Sequence, residues 1–417
     1  MRCCIISIGD ELVRGLTINT SAPMISSALL EQGYSVNKVI AVGDEKRAIK
    51  QEIKQAMQTH DLLILTGGLG PTSDDLTRQV LSELFNRPLK HSKQVAQDLE
   101  KRYGPQLSTL EDQSIILEGT KIYLNPVGTA PGFSFQEKES MVMALPGPPS
   151  QMQTIFLQML KDIVKKFPAQ GVIEKRYLFG LSEEQIDPFI REWEPQVEGL
   201  SIGVCPSYGV VSVYFWQEME ARSESFSKVL CAFDKLYAKQ IYSTFSPDLE
   251  KAVIELLKEK KKKLTLAESC SGGLGLTRLT DVAGASDVIL GGWVSYSNIA
   301  KQQWLGVDSK LLQSLGAVSI EVAEAMAQGA LERLPVDYAI SITGIAGPSG
   351  GSLNKPVGTV CVALAMREEG KVFSTQFLSK GSGLRSLVKT YSVNFVLSAF
   401  FAYLKWGQEP FSKGRET

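Results

Sequence analysis

Short apolar runs alternate with amphipathic stretches over the first 65 residues. The runs at 5–8, 36–42 and 61–65 predict strands, and apolar residues at helical spacing predict helices over 22–31 and 45–59. This strand-helix-strand order predicts a mostly parallel sheet with helices on both faces. Ligands in such sheets bind beyond the carboxyl ends of the strands, so the loops there are candidates for a site.

The pattern changes near residue 166. Short strands are predicted at 176–179, 201–205 and 210–215, around helices over 183–193 and 223–239. This indicates a small α+β module of a size that domains have.

A third segment opens with a helix over 249–260 and returns to α/β alternation, with strands at 264–267 and 339–342. The predicted domains are therefore 1–166, 167–247 and 248–412. The predicted fold class is α/β, with a parallel-sheet N-terminal domain, an α+β middle module and an α/β C-terminal domain.

Composition limits the chemistry available to the chain. It has 417 residues, a formal net charge of −1, six scattered cysteines and only two histidines, His60 and His91. Histidine-based triads and zinc sites are therefore poor hypotheses, and the neutral charge argues against direct nucleic-acid binding. The apolar stretch at 391–404 falls short of a membrane span, so we expect a buried helix, no membrane attachment and a cytoplasmic protein.

The C-terminal segment contains hydroxyl and glycine residues at strand ends. A predicted strand runs into the loop 268–273, where Ser269 precedes two glycines, and Lys301 follows a second such loop. Such a loop can cap a helix, which is the ordinary interpretation, or hold a nucleophile and an oxyanion. In a domain without histidine, Lys301 is the candidate base if burial lowers its pKa from about 10.4.

Five motifs in order, at 267–273, 296–301, 316–319, 343–348 and 355–360, resemble the CinA C-terminal domain, whose family contains nicotinamide-mononucleotide deamidases. The resemblance implies hydrolysis of the mononucleotide to nicotinic acid mononucleotide and ammonia, without a cofactor. Ser269 would be the nucleophile and Lys301 its base, while Tyr296 and Thr343 would assist. The implied substrate-binding residues are Cys270, Ser271, Gly272, Gly273, Asn298, Gly344 and Arg385. We expect the amide groups of Cys270 and Ser271 to stabilise the oxyanion.

Two departures from this family pattern concern substrate binding. Ser271 stands where the family usually has threonine, and this replacement keeps the hydroxyl group. The family has a late Gly-Asp-Arg element followed by a further arginine. In this chain the element is Gly383-Leu384-Arg385, and Lys389 takes the place of the further arginine. Arg385 matches the phosphate-binding arginine, whereas Lys389 supplies a point charge in place of a planar fork.

A second glycine-rich loop, at 67–72, follows a predicted strand and precedes Asp74 and Asp75, which are expected to open a helix. Its glycines allow the backbone to approach a phosphate. Asp10 and Glu11 follow the neighbouring strand, so a divalent ion bridging to a pyrophosphate is the functional interpretation, and helix capping is the alternative for Asp74.

These motifs resemble the N-terminal domain of CinA proteins, which is related to molybdopterin-binding domains of the MogA and MoeA type. The resemblance implies an ADP-ribose pyrophosphatase that depends on Mg²⁺, Mn²⁺ or Co²⁺, with K⁺ as a further ion. The implied metal ligands are Asp10, Glu11 and Asp75. The implied nucleotide-binding residues are Asn19, Gly67, Gly68, Gly70, Thr72 and Asp75. The family's lysine-containing stretch reads Glu111-Asp112-Gln113-Ser114 here.

The middle module resembles the KH-like linker domain of CinA proteins, but no GxxG loop occurs between residues 170 and 245, so a structural role is predicted. The leading hypothesis is a bifunctional enzyme acting on nicotinamide mononucleotide and ADP-ribose, expected to be a homodimer. Two alternatives stay open: only the C-terminal deamidase is active, or the chain is a non-catalytic scaffold in competence or the DNA-damage response.

Overall fold

The computed structural model describes residues 1–218, 223–379 and 384–411. The chain divides into two compact units, one comprising Met1–Ile173 with Trp216–Ser223 and the other Glu174–Phe215 with Glu224–Thr417. Most of the predicted middle module falls in the second unit. The three predicted domain boundaries therefore stay a prediction.

The first unit is built from eight strands and seven helices among its described residues. The strands are β1 (Cys3–Ile8), β2 (Val36–Val42), β3 (Leu62–Thr66), β4 (Leu89–His91), β5 (Ile115–Leu117), β6 (Lys121–Tyr123), β7 (Gly132–Glu137) and β8 (Ser140–Leu145). The helices are α1 (Asp10–Val13), α2 (Ser21–Glu31), α3 (Lys46–Met57), α4 (Thr77–Phe85), α5 (Lys93–Tyr103), α6 (Leu110–Ser114) and α7 (Pro149–Lys166).

Six of these strands form one sheet in the order β2-β1-β3-β8-β7-β6. The strands β2, β1, β3 and β8 are parallel to one another. Strand β7 runs antiparallel to β8, and β6 runs antiparallel to β7. Successive residues of a strand face opposite sides, so β1 places Ile6 in a core with α3 and α4, and Ile5 in a core with α2 and α7. The predicted α/β class, with a mostly parallel sheet covered on both faces, is confirmed.

The remaining strands and helices lie in the second unit, except that the start of β9 and the end of β11 fall in the first. The strands are β9 (Gly171–Phe179), β10 (Leu200–Ser207), β11 (Val210–Glu218), β12 (Ile241–Ser243), β13 (Leu264–Glu268), β14 (Ile289–Val294), β15 (Tyr338–Gly344), β16 (Thr359–Met366) and β17 (Lys371–Leu378). The helices are α8 (Glu183–Trp193), α9 (Glu224–Leu236), α10 (Leu249–Lys260), α11 (Leu274–Thr280), α12 (Asn298–Leu305), α13 (Ser309–Leu315), α14 (Ile320–Arg333) and α15 (Arg385–Trp406).

A five-stranded sheet of order β14-β13-β15-β16-β17 organises this unit. Strand β13 lies parallel to β14 and β15, while β16 and β17 run antiparallel. Helices α10 and α15 cover one face, and α14 packs its alanines against the other face. The interior strand β13, between β14 and β15, is fully buried, and the loops that carry the predicted chemistry include the one at its carboxyl end.

Helix α15 is the one helix in the described part of the chain that is long and apolar enough to cross a membrane by length and composition. In this structure, 61% of its apolar window is buried inside the protein. Val388, Phe400 and Leu404 belong to the core beneath the sheet. The helix is thus a buried core element, as predicted, although it begins at Arg385 rather than near residue 391.

The middle module forms a four-stranded sheet of order β10-β11-β9-β12. Its β10–β11 turn packs on α15, because the Asn394 side chain donates a 2.9 Å hydrogen bond to the Tyr208 carbonyl. A Cβ on Gly209 would lie 3.3 Å from the Tyr391 ring. The structural role of the module stays a prediction.

Candidate active sites

Ser269 lies at the first position after β13. Its amide donates a 2.8 Å hydrogen bond to the Ile342 carbonyl on β15, which extends the sheet by one residue. The chain then turns through Gly272 and Gly273, whose φ angles of 64° and 89° are readily adopted only by glycine. Ser269 is therefore held at the end of a rigid strand and is only 6% exposed.

A buried carboxylate supports this turn. Glu268 is fully buried, and its side chain accepts hydrogen bonds from the amides of Gly275 and Leu276, at 3.1 and 2.8 Å. It thereby fixes the start of α11 against the end of β13. Sequence reasoning gave Glu268 no role, although a single acidic residue ending an apolar strand was the available signal.

Lys301 reaches Ser269 from α12. Ser297 caps this helix by accepting a hydrogen bond from the Ala300 amide at 3.1 Å, and Lys301 follows on the inward face. Lys301 is 1% exposed, its Nζ lies 2.7 Å from Ser269 Oγ, and it donates to the Ser295 carbonyl at 2.8 Å. Burial lowers the pKa of Lys301 to about 8, because the charged amine is desolvated. The structure thus brings the predicted nucleophile and base within direct contact.

The loop after Ser269 contains hydrogen-bond donors without a partner among the described residues. The amides of Cys270 and Ser271 donate to no carbonyl among the described residues, and the fully buried Ser271 hydroxyl has no partner there. Burial raises the pKa of the Cys270 thiol to about 12, so the thiol stays neutral near pH 7. The Cys270 and Ser271 groups suit the binding of an oxyanion, and a neutral thiol is a weaker nucleophile than a thiolate.

Two cations flank the same loop. Arg385 donates to the Tyr296 hydroxyl at 2.7 Å and to the Gly347 carbonyl at 3.2 Å. A Cβ on Gly272 would lie 3.3 Å from Lys389 Nζ. Within the described residues neither cation pairs with a carboxylate, so both positive charges are available to an anion. Gly383, the start of the late motif, lies outside the described residues.

The other predicted C-terminal residues differ in what they can offer a substrate. Thr343 is 1% exposed, and its hydroxyl donates to the Ala317 carbonyl at 2.7 Å, which makes it a structural contact here. Asn298 is exposed in the first turn of α12. Gly344 sits so close to Cys270 that a Cβ there would lie 3.1 Å from Sγ. Tyr296 is 61% exposed and reaches the site through Arg385.

The first unit contains a cavity of about 510 Å³ at the carboxyl ends of β1, β3 and β8. Six of the predicted N-terminal residues line it, namely Glu11, Asn19, Gly67, Gly68, Gly70 and Asp75. Asp10 and Thr72 are not among its lining residues. The cavity also includes Gln113, which belongs to the stretch 111–114 that departs from the family's lysine-containing pattern.

The glycine loop of this cavity is tightly constrained. A Cβ on Gly67 would lie 2.1 Å from the Ile8 carbonyl, so the close approach of β1 and β3 requires glycine. Thr77 fixes the loop by donating to the Gly67 carbonyl at 2.8 Å. Helix α4 begins only at Thr77, so Asp74 and Asp75 lie in the preceding turn rather than opening a helix as predicted. Asp75 accepts hydrogen bonds from the Thr72 amide and hydroxyl at 2.9 and 2.6 Å.

The structure does not gather the predicted metal ligands into one cluster. Asp10 forms an ion pair with Arg14 and accepts from the amide of Asp44, and Asp10 is not among the residues that line the cavity. No group of three His, Cys, Asp or Glu residues within the described ranges is placed to hold a metal ion. Glu11 and Asp75 do line the cavity, and Mg²⁺ is usually held by one or two carboxylates together with substrate phosphates. These residues therefore fit a metal ion that arrives with a phosphate ligand.

The fold and these sites define an α/β protein with a buried serine–lysine pair in one unit and an acidic, glycine-lined cavity in the other. Residues 246–404 match the family model described as the CinA C-terminal domain, and residues 4–166 match the model described as the probable molybdopterin binding domain. The chain is 34% identical over 420 residues to a CinA-like protein of Thermotoga maritima, covering 97% of this chain and 98% of that protein. It is 36% identical over 383 residues to a CinA-like protein of Chlorobaculum tepidum, covering 88% and 90%. The chain belongs to the CinA family.

Solved structures of the family align with one part of the chain. The competence/damage inducible protein of Agrobacterium tumefaciens is 39% identical, covers 38% of this chain and 98% of its own, and has a TM-score of 0.36. A CinA superfamily protein of Klebsiella pneumoniae is 32% identical, covers 37% and 95%, and also has a TM-score of 0.36.

Proposed function

We propose that the C-terminal unit is an amidohydrolase that converts nicotinamide mononucleotide and water to nicotinic acid mononucleotide and ammonia. The observation that supports this most strongly is the 2.7 Å contact between Lys301 Nζ and Ser269 Oγ, with both residues almost fully buried. A serine–lysine pair is an accepted variant of the nucleophile–base arrangement for acyl transfer. The lowered pKa of Lys301, about 8, makes a neutral amine available near neutral pH.

In the first half of the proposed reaction, Ser269 Oγ transfers its proton to Lys301 Nζ and attacks the carboxamide carbon. The carbonyl oxygen becomes an oxyanion that the amides of Cys270 and Ser271 stabilise. The Lys301 ammonium then donates its proton to the departing nitrogen, the carbon–nitrogen bond breaks, and ammonia leaves an ester on Ser269. In the second half, Lys301 takes a proton from water and the hydroxide attacks the ester carbon. The bond between that carbon and Ser269 Oγ then breaks, the Lys301 ammonium returns its proton to Oγ, and nicotinic acid mononucleotide leaves.

The phosphate of the substrate is assigned to the cationic side of the loop. No ion pair with a carboxylate is formed by Arg385 or Lys389 among the described residues, while the Tyr296 hydroxyl accepts a hydrogen bond from the Arg385 guanidinium. Hydrogen bonds between such cations and phosphate are the strong, charge-assisted kind. Lys389 contributes charge without a bidentate fork, so Arg385 is expected to carry most of the orientation.

The test is ammonia release from nicotinamide mononucleotide by the full chain, with EDTA present throughout. Wild type is expected to release ammonia, and Ser269→Ala to lose about 10³-fold or more of the rate. Ser314→Ala is the matched control, because Ser314 is an exposed serine on α13. Undiminished release by Ser269→Ala, or no release by wild type, would overturn the proposal.

A second activity, metal-dependent cleavage of ADP-ribose, is proposed for the N-terminal cavity. The supporting observation is a cavity of about 510 Å³ that combines a glycine loop with the carboxylates of Glu11 and Asp75. Glu11 and Asp75 would hold a divalent ion, which would neutralise pyrophosphate charge and activate water. The loop amides of Gly68 and Gly70 would approach the phosphates, because neither glycine presents a side chain. Homodimer formation, a role for K⁺ and a cytoplasmic location stay predictions.

A further inference from the structure

Gln113 is a buried polar side chain that the fold leaves unsatisfied. It is 1% exposed, it lines the N-terminal cavity, and its carboxamide oxygen has no hydrogen-bond partner among the described residues. Burying a polar atom without a partner costs free energy, so such a group in a native protein has a reason to be there. The position of Gln113 in the cavity wall supplies such a reason, because a bound molecule can provide the missing hydrogen-bond donor.

The surrounding structure holds Gln113 in place. Arg78, which is itself buried, donates to the carbonyls of Asp112 and Ile115 at 2.6 and 2.8 Å, on either side of Gln113. The same guanidinium donates to the Gly70 carbonyl at 2.8 Å. Arg78 therefore ties helix α6 to the glycine loop and fixes the backbone on either side of Gln113, which lines the cavity beside that loop.

The neighbouring amides of the cavity are satisfied within the protein. Of the amides that line the cavity, Gln151 accepts a hydrogen bond from Asn125 at 2.7 Å, and Asn19 donates to Ser7 Oγ at 2.9 Å. Their side chains thus support the cavity wall. Gln113 differs from them, since its acceptor oxygen makes no such contact with a described residue.

We propose that Gln113 is a ligand-binding residue of the N-terminal cavity, whose carboxamide oxygen accepts a hydrogen bond from a hydroxyl or N–H group of a nucleotide-class ligand. This inference rests on the proposed N-terminal function and adds the residue that recognises the organic part of the ligand. The glycine loop would contact the phosphates, which carry no donor when ionised. Gln113 would therefore distinguish a nucleotide from free pyrophosphate.

The test compares two probes, ADP-ribose and inorganic pyrophosphate, by calorimetric titration of the full chain. Ca²⁺ replaces the activating metal, so that binding is measured apart from turnover. Gln113→Met keeps the length of the side chain without its hydrogen-bonding atoms. It is expected to raise the Kd of ADP-ribose roughly tenfold and to leave the Kd of pyrophosphate within about twofold. Gln113→Asn shortens the side chain by one methylene and so withdraws the carboxamide from the cavity. Its Kd for ADP-ribose should lie between those of wild type and Gln113→Met.

The controls separate this inference from the proposed function. Gln97→Met changes an exposed glutamine on α5 and should leave both Kd values unchanged. Gln113→Met should unfold at or above the wild-type Tm, because no hydrogen bond is lost on folding. An unchanged Kd for ADP-ribose, or equal weakening of both probes, would overturn the role of Gln113 alone. Failure of wild type to bind ADP-ribose would overturn the proposed N-terminal activity and this assignment with it.

Discussion

The C-terminal site and the N-terminal cavity differ in how much of their chemistry the protein supplies. Ser269 and Lys301 are buried and in contact, and the base is already desolvated. In the N-terminal cavity, Glu11 and Asp75 line an open space, and no three ligands within the described residues converge on a metal position. A serine–lysine site can be complete in the folded chain, whereas a phosphate–metal site is completed by what binds to it.

This difference predicts opposite sensitivities to substitution and to chelation. Truncating a residue of the preformed pair should abolish deamidation without regard to metal. Removing the metal should abolish only the N-terminal activity. The predictions below test that contrast, beginning with the largest expected effect.

Replacement of the base should have the largest effect. Lys301→Met fills the same buried space without a titratable group, so it is expected to lower kcat for ammonia release by about 10³-fold or more. Lys405→Met, at an exposed lysine on α15, is the matched control and should keep the wild-type rate. A variant that folds normally and retains more than a tenth of the wild-type kcat would contradict the role of Lys301.

Chelation and Asp75→Asn should separate the two activities. EDTA is expected to abolish ADP-ribose cleavage, and Asp75→Asn to lower it about 100-fold, because a carboxylate that holds the ion is lost. Both treatments should leave ammonia release from nicotinamide mononucleotide within about twofold of wild type. The measurement is a pair of assays on one protein preparation, one for ADP-ribose cleavage and one for ammonia release. Loss of deamidation in EDTA would contradict the claim that only the N-terminal site depends on a metal ion.

Arg385→Ala should mainly affect substrate binding. We expect KM for nicotinamide mononucleotide to rise roughly 30-fold with little change in kcat, because a charge-assisted contact to phosphate is lost in both the ground and transition states. Nicotinamide riboside, which lacks the phosphate, provides the control, since its turnover should not respond to the substitution. An equal effect on both substrates would remove the phosphate assignment.

The pH dependence of deamidation should report Lys301. Because burial lowers the pKa of Lys301 to about 8, the neutral amine that accepts the serine proton forms as the pH rises through that value. The rate kcat/KM is therefore expected to increase roughly 20-fold between about pH 6.5 and 8.5 and then level off. A flat profile over this range would show that the base titrates elsewhere.

Thr343→Val should have the smallest effect on turnover. Its hydroxyl is already donated to the Ala317 carbonyl at 2.7 Å, so its loss is expected to destabilise the fold by about 1 kcal/mol. The change in kcat should stay within about threefold. Urea unfolding and steady-state kinetics measure the two quantities. A large fall in kcat at unchanged stability would restore Thr343 to the catalytic set.

Much of the architecture could be predicted from local pattern. The helix over 249–260 and the strand over 36–42 begin and end where the periodicity places them. Apolar runs bounded by turns mark buried parallel strands clearly. The region between residues 89 and 145 was harder, because β4 to β6 are three-residue strands that are too short to show a period.

Contact between distant residues was predictable only through motif resemblance. Ser269 and Lys301 are 32 positions apart, and no local pattern indicates that α12 turns Lys301 inward. The stretch Glu111-Asp112-Gln113-Ser114 was noted only for its departure from the family pattern, because the hydrogen bonds by which Arg78 ties this segment to the glycine loop are not visible in the sequence. The hydrogen bond between the Asp44 amide and the Asp10 carboxylate, 34 positions apart, likewise has no local sequence signal.

The central claim, that Ser269 and Lys301 act as one catalytic unit, is tested most directly by a double-mutant cycle. Single-turnover ammonia release would be measured in EDTA for wild type, Ser269→Ala, Lys301→Met and the double variant. Residues that act as a unit lose nearly all of their effect with the first substitution, so the double variant is expected to be no slower than the slower single variant, within about threefold. A double variant whose loss equals the product of the two single losses would show independent roles and contradict the account.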